Sequence, residues 1–310
     1  MKLQPVCLLL LSIGCAISLG IPAHAQDAVG VITEIKLNRG DVEIRLPGKS
    51  WQKPAPLQSL YAGTHIQASR DAVAVVLYTE GMKTVTIDAK NSPFEIKPAA
   101  AKGGPGVKEI AGALMGKKKP PNYAALAVRG GKRPPVLLSP RSTKLMTDAP
   151  TLQWMGMERQ PGTVRVLGPE GVLWTAENVS LTQIKYPASA PRLKPGVEYA
   201  WMIEKRGFPA EKARFQLLAP AEIKAVEDEA AALKNAAGVS ETTAAVLKAG
   251  LYAARGLYYD AREVLAEAVK RDPDEPTLHF LLADVYEKTG LKDMASEEYS
   301  ESDFLLKQKP

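Results

Sequence analysis

The chain has 310 residues, 45% hydrophobic and 24% charged, the balance of an ordinary folded protein of two or three domains. Its formal charge of +6 is split: residues 26–219 carry 28 basic and 16 acidic side chains, residues 220–310 carry 11 and 18. Segments of opposite sign point to different partners or to mutual contact, although two separately solvated surfaces explain the split more simply.

The N-terminus reads as an export signal. Lys2, the apolar run VCLLLLSIGCAISLG and the small residues of Ala23-His24-Ala25 predict a signal peptide over residues 1–25, with cleavage after Ala25 and a periplasmic or envelope location. Lipidation at Cys15 is the lesser alternative, because Ser12 stands where lipoprotein signals carry a larger aliphatic residue and the apolar run continues past Cys15. Cys7 and Cys15 both fall in this leader, which excludes thiol and disulfide chemistry from the exported chain. No later stretch reaches the roughly 20 apolar residues of a membrane helix.

Residues 26–99 read as all-β. VGVITEIKLNRGDVEIRL gives two β-branched runs about the turn signal Asn38-Arg39-Gly40, and DAVAVVLYTEGMKTVTIDA gives strand, Glu80-Gly81 turn and strand. Val73, Val75 and Leu77 alternate, as do Val85 and Ile87, which predicts one buried face per strand. The order G-x-V, R-G-D-V-E-I, Leu60 with Gly63-x-x-Ile66, then A-V-A-V-V-L-Y-T-E-G resembles the FecR-like domain over about seventy residues, departing at Thr64 and Ala68. The resemblance implies a periplasmic β module named for iron-uptake regulators. Such regulators add a membrane helix and a segment that grips a sigma factor; neither pattern occurs here, so iron signalling is not implied.

Residues 100–135 read as a basic Gly/Pro-rich linker in which Lys102, Lys108, Lys117, Lys118, Lys119, Arg129, Lys132 and Arg133 face only Glu109, with one or two helical turns over residues 107–115. Gly112 to Lys117 imitates a phosphate loop but is one residue short, and Lys118 replaces the hydroxyl that would bind Mg²⁺. Nucleic acid is not expected for an exported chain with few linker aromatics. A solvated tether is the plainer reading, with weak attraction to a membrane surface or anionic polymer second.

Residues 136–219 predict a β-sandwich from VLLSP, TLQWM, TVRVLG, VLWTA, TQIKYP, EYAWMIEK and ARFQLL, separated by Pro and Gly turns. LKPGVEYAWMI resembles the corner and strand of fibronectin type III and related immunoglobulin-like domains. The resemblance implies that Tyr199 tucks its hydroxyl against backbone while Trp201 and Ile203 enter the core opposite Trp154. Trp174, on an expected edge strand, is the candidate exposed aromatic.

From residue 220 onward the pattern is helical. AEIKAVEDEAAALKNAAG has Ile223, Val226 and Leu233 at helical spacing. Ala249, Tyr252, Gly256, Ala261, Leu265 and Ala268 recur 34 residues later as Ala283, Tyr286, Gly290, Ala295, Tyr299 and Ser302. Helices are predicted near 242–254, 257–271, 276–289 and 292–307, in units 242–275 and 276–309. Period and pattern resemble tetratricopeptide repeats. The resemblance implies a groove lined by the first helix of each pair, here Thr243, Val246, Gly250, Ala253, Thr277, Phe280, Asp284 and Glu287. This mixed apolar and acidic lining favours a protein segment with aliphatic and basic residues. Asp260, Glu263 and Glu267 are expected on a wet outer face. Because two repeats are few, either residues 222–235 form a partial repeat or the array docks elsewhere; Phe304, Leu305 and Leu306 suggest self-association through the C-terminal helix.

The fold class is therefore multidomain β plus α. His65 and His279 have no partners at metal-ligand spacing, and no catalytic or cofactor motif is present. The leading expectation is a non-enzymatic envelope scaffold or adaptor. A FecR-type signal-sensing component and a peptidoglycan- or polysaccharide-binding protein are the alternatives.

Overall fold

The computed structural model of the chain describes residues 27–81, 83–98, 110, 112–115, 117, 134–156, 161–234 and 239–307. The expected signal peptide and most of the basic linker lie outside them. Among the described residues fifteen β-strands precede five long α-helices, so the architecture is β plus α. A short helical turn carries Ile110 and residues 112–114.

Seven strands form the first β unit: β1 Gly30–Lys36, β2 Val42–Arg45, β3 Ser59–Leu60, β4 His65–Ala68, β5 Val73–Tyr78, β6 Thr84–Ile87 and β7 Phe94–Glu95. They make two sheets, ordered β3-β1-β5-β6 and β2-β4-β7. The turn after β1 thus sends β2 to the other sheet. It demands a bare backbone at Gly40, where a Cβ would stand 1.9 Å from the Ser69 carbonyl oxygen. Ile32, Ile35, Ile44, Ile66, Val76 and Ile87 fill the space between the sheets.

The alternation expected for β5 does not hold. Ala74, Val75, Val76 and Leu77 are all buried, as is every residue of β1 from Gly30 to Ile35. The reason is a second packing partner: Ile32 and Val76 face the sandwich, whereas Val31 and Leu77 join the core of the helices. A strand covered on both faces reads as a continuous apolar run.

The second β unit contains β8 Val136–Ser139, β9 Thr143–Leu145, β10 Thr151–Met155, β11 Gly162–Gly168, β12 Gly171–Val179, β13 Gln183–Lys185, β14 Glu198–Glu204 and β15 Lys212–Leu217. Its sheets are ordered β13-β10-β8 and β12-β11-β14-β15-β9. Trp154 and Trp201 meet in the core with ring centroids 6.1 Å apart. The Tyr199 hydroxyl accepts from the Lys194 N–H at 2.7 Å, fastening the turn before its own strand. β9, absent from the predicted strands, pairs in parallel with β15.

The helices are α1 Pro220–Lys234, α2 Glu241–Ala254, α3 Tyr258–Arg271, α4 Pro276–Lys288 and α5 Lys292–Lys307. The 34-residue equivalence is physical. Gly256 and Gly290 both adopt left-handed backbone, φ 73° and 80°. Each is followed by the same hydrogen bond, Leu257 N to Tyr252 O and Leu291 N to Tyr286 O, both 2.8 Å. Ala261 and Ala295, Leu265 and Tyr299, and Ala268 and Ser302 are buried in pairs. α1 adds Val226, Ala230 and Leu233 to the same core.

The second β unit grips both inter-helix turns. Lys144 N donates to Gly256 O at 2.9 Å, and Arg141 Nε donates to Thr289 O at 2.8 Å. Asp260 is corrected by this contact: α3 begins against the Met146 backbone, so the carboxyl is largely buried there, while Glu263 and Glu267 are exposed as expected. The C-terminal apolar trio is also corrected in part. Only Phe304 is exposed, at 58%; Leu305 is buried, and Leu306 packs on the core of the first β unit.

Replacing Tyr199 with Phe strands the Lys194 N–H, so Tyr199→Phe is expected to lower unfolding stability by about 1–3 kcal/mol in urea titration; an unchanged midpoint would count against the corner's role.

Candidate functional site

The eight expected groove residues form four pairs 34 residues apart, and the structure divides them. Thr243 and Thr277 stand in the first turns of α2 and α4, with Gly250 and Asp284 two turns further on. Phe280 and Glu287 turn away, toward α5. The Phe280 ring lies 5.4 Å from that of Tyr299, whose hydroxyl donates to Glu287 at 3.1 Å. Their equivalents Val246 and Ala253 belong to the helical core.

The face itself is covered by other parts of the chain. At its near end lies β1. The register of β1 on β5 skips Thr33, passing from Ile32↔Val76 to Glu34↔Val75. This bulge lets both Thr33 and Glu34 reach the helices. The hydroxyls of Thr33 and Thr243 are 2.9 Å apart. At the far end lies the short helical turn of the linker. A Cβ on Gly250 would stand 2.7 Å from Leu114 Cδ2, so the missing side chain is the seat of Leu114. Lys117 forms a largely buried ion pair with Asp284. Ile110 completes the contact as part of the same core.

Two buried carboxylates fasten β1. Glu34 accepts from Ser240 Oγ, from Thr243 Oγ1 and from the Thr243 N–H, the last at 3.1 Å. It therefore supplies negative charge to the positive end of α2. Glu275 is the N-cap of α4 and accepts from Thr277 N at 3.1 Å. Its two oxygens also receive the Ile35 N–H, at 3.0 and 3.1 Å. Burial pushes the Glu275 carboxyl up to about 8, and the nearby Glu34 adds to the effect. Lys36 stands beside them, 2.9 Å from Asp272 and 4.0 Å from Glu34. A cleft of about 370 Å³ lined by Lys36, Ser240, Thr242, Arg271 and Asp272 adjoins this cluster. The oxygens of Glu34 and Glu275 are engaged by the chain's own donors, so the pair caps helix termini.

The remaining candidates are structural. Trp174 lies on edge strand β12 as expected, but is half-buried and meets Tyr186 edge-on at 5.6 Å. His279 contacts Glu298 through Nδ1 at 2.7 Å and the Pro273 carbonyl through Nε2 at 2.8 Å. His65 Nδ1 lies 3.1 Å from Gly63 O. Among the described residues no cluster of three His, Cys, Asp or Glu side chains could hold a metal ion.

Residues 170–299 match one family model, described as Domain of Unknown Function (DUF928). No curated protein matches the chain. The matched segment begins beside edge strand β12 and ends within α5. It crosses from the second β unit into the helices and includes Ser240, Thr243, Gly250, Glu275 and Asp284. Glu34, Leu114 and Lys117, which cover the face, lie before it.

Sequence reasoning missed Thr33, Glu34, Ser240 and Glu275. The available signals were an acid inside the β-branched run VITEI and an acid directly before Pro276, the first residue of α4.

The carboxylates also set a pH dependence. A carboxyl raised from 4.5 to about 8 holds its proton in the folded chain and loses it in the unfolded chain over that window, so stability falls as pH rises through it. Asp260, raised by burial from 3.8 to about 7, acts in the same direction. At His279 burial pulls the pKa down but Glu298 and the Pro273 carbonyl outweigh it; the net rise means its contribution too is lost with increasing pH. The melting temperature should therefore decline from about pH 5 to about pH 8, with a shallower decline in Glu275→Gln. An equal slope in that variant would remove Glu275 from the account.

Proposed function

We propose that the protein is a non-enzymatic scaffold or adaptor of the cell envelope, carried there by its N-terminal signal. One observation supports this most: the inner face of a duplicated helix pair seats Leu114 at a bare glycine and Lys117 on a buried acid. That is peptide recognition performed on the chain's own linker. On this reading the first β unit is FecR-like, the second fibronectin-like and the helices tetratricopeptide-like, and all three hold other chains. The carboxylates serve as caps, and no group is assigned a catalytic role.

A sensing function is the second reading. Its support is the seating of the first β unit on the helices through Glu275, a group that titrates near neutrality. Glycan binding has less support, since Trp174 presents only part of its ring.

Phe304 is a convenient reporter because it is exposed. With a photoreactive phenylalanine analogue at position 304, irradiation of the native envelope should give discrete adducts to protein. An adduct of twice the chain's mass would mark self-association through the C-terminal helix. Pelleting with purified cell wall and no protein adduct would contradict the scaffold reading.

A further inference from the structure

We propose that the far end of the α2–α4 face is a binding site for a protein segment of the pattern aliphatic-x₃-aliphatic-x₂-basic, whose place Ile110, Leu114 and Lys117 fill in cis until a partner segment of the same pattern replaces them. The inference rests on the adaptor reading and names its ligand and its control.

The pattern comes from the occupant. Ile110 and Leu114 are spaced i and i+4, on one side of the helical turn, and Lys117 follows three positions later, beyond the turn's end. Ile110 and Leu114 are buried at 4% and 0%, although each belongs to a segment rich in Gly, Ala and Lys. The receiving surface is complementary position by position. Gly250 leaves a hollow into which Leu114 fits so closely that a single added carbon would stand 2.7 Å from it. Asp284, the residue 34 positions later, takes the Lys117 ammonium in a pair whose side chains are 15% and 12% exposed. A glycine and an acid at equivalent positions of two otherwise matched helices give the site its polarity: the aliphatic residue falls on α2 and the base on α4.

The cis segment is suited to be displaced. Its described residues contribute three apolar side chains, Ile110, Leu114 and the half-buried Met115, and one ion pair, a small contact for holding two free molecules together. Tethering to both β units raises its local concentration to the order of millimolar, which suffices to keep the site filled. A competitor therefore needs contacts beyond the three anchor residues, and the wild-type site discriminates against short segments. β1 is different. It is fixed at the near end by Glu34 and Glu275 through several hydrogen bonds, and it remains in place when the far end is vacated.

The test uses the full exported chain and a fluorescein-labelled peptide of residues 107–119, VKEIAGALMGKKK. Anisotropy should show binding to Leu114→Asp/Lys117→Glu at least about tenfold tighter than to wild type, since the cis segment keeps most wild-type molecules closed. Adding Gly250→Ala to the opened chain should reverse the gain, because the new methyl fills the Leu114 seat. Lys117→Ala alone, which removes only the ion pair, should give an intermediate affinity and serves if the double variant fails to fold by circular dichroism. Equal affinity of wild-type and opened chains, or an opened chain indifferent to Gly250→Ala, would overturn the proposal. Because this titration uses purified chain and its own peptide, its failure is separate from that of the adaptor reading, which the Phe304 adducts decide.

Discussion

The arrangement of the molecule depends on the burial of β1 against the N-termini of α2 and α4. A strand with apolar residues on both sides needs two hydrophobic partners, and the second sheet of its own unit supplies one. The helices supply the other. The junction is polar because helix N-termini present unsatisfied N–H groups, which cannot be buried without acceptors. Glu34 and Glu275 provide those acceptors from opposite sides of the contact. Glu34 reaches from strand to helix, and Glu275 reaches from helix back to the strand's own Ile35 N–H. Each carboxyl leaves water, and each finds at least three donor contacts, the condition under which buried polar groups are tolerated.

From that junction the rest follows. With β1 fixed across the first turns of α2 and α4, the linker leaving the first β unit lies within reach of their second and third turns. Gly250 and Asp284 are there to receive it. The second β unit approaches from another side and holds the turns at Gly256 and Thr289 through Lys144 and Arg141. The 34-residue duplication is therefore used three times: at the helix starts by β1, at mid-helix by the linker, and at the turns by the second β unit. A repeat pair too short to bury its own surfaces has its inner face and both its turns covered by other parts of the chain.

Much of this was legible locally. The helices fell within one or two residues of their predicted ends because Gly256, Gly290, Pro273 and Pro276 punctuate them and the apolar positions recur at a fixed interval. Apart from β9, the strands of the second β unit and the edge position of β12 were legible because turn residues and alternation are written in adjacent positions, and the Tyr199 corner through the resemblance carried by LKPGVEYAWMI. β9 was not: it pairs in parallel with β15, about seventy residues away in the chain. Contacts between units were also hidden. Asp260 reads as solvent-facing until Met146 is placed against it, and β5 reads as half-buried until the helices cover its other face. The residues that cover the far end of the α2–α4 face, Leu114 and Lys117, come from the chain itself. Their place was obscured because Lys117 sits in a run of like charges that resembles a solvated tether.

The central claim is that the inner face of the helices is closed by the chain itself. Amide hydrogen exchange of the intact chain measures this directly. The N–H groups of Ile35, Thr243 and Thr277 should exchange as slowly as that of Leu281 in the helical core, since all three are held at the buried junction. Exchange at these three amides as fast as at the exposed edge strand β12, with Leu281 still protected, would show an open face and contradict the account.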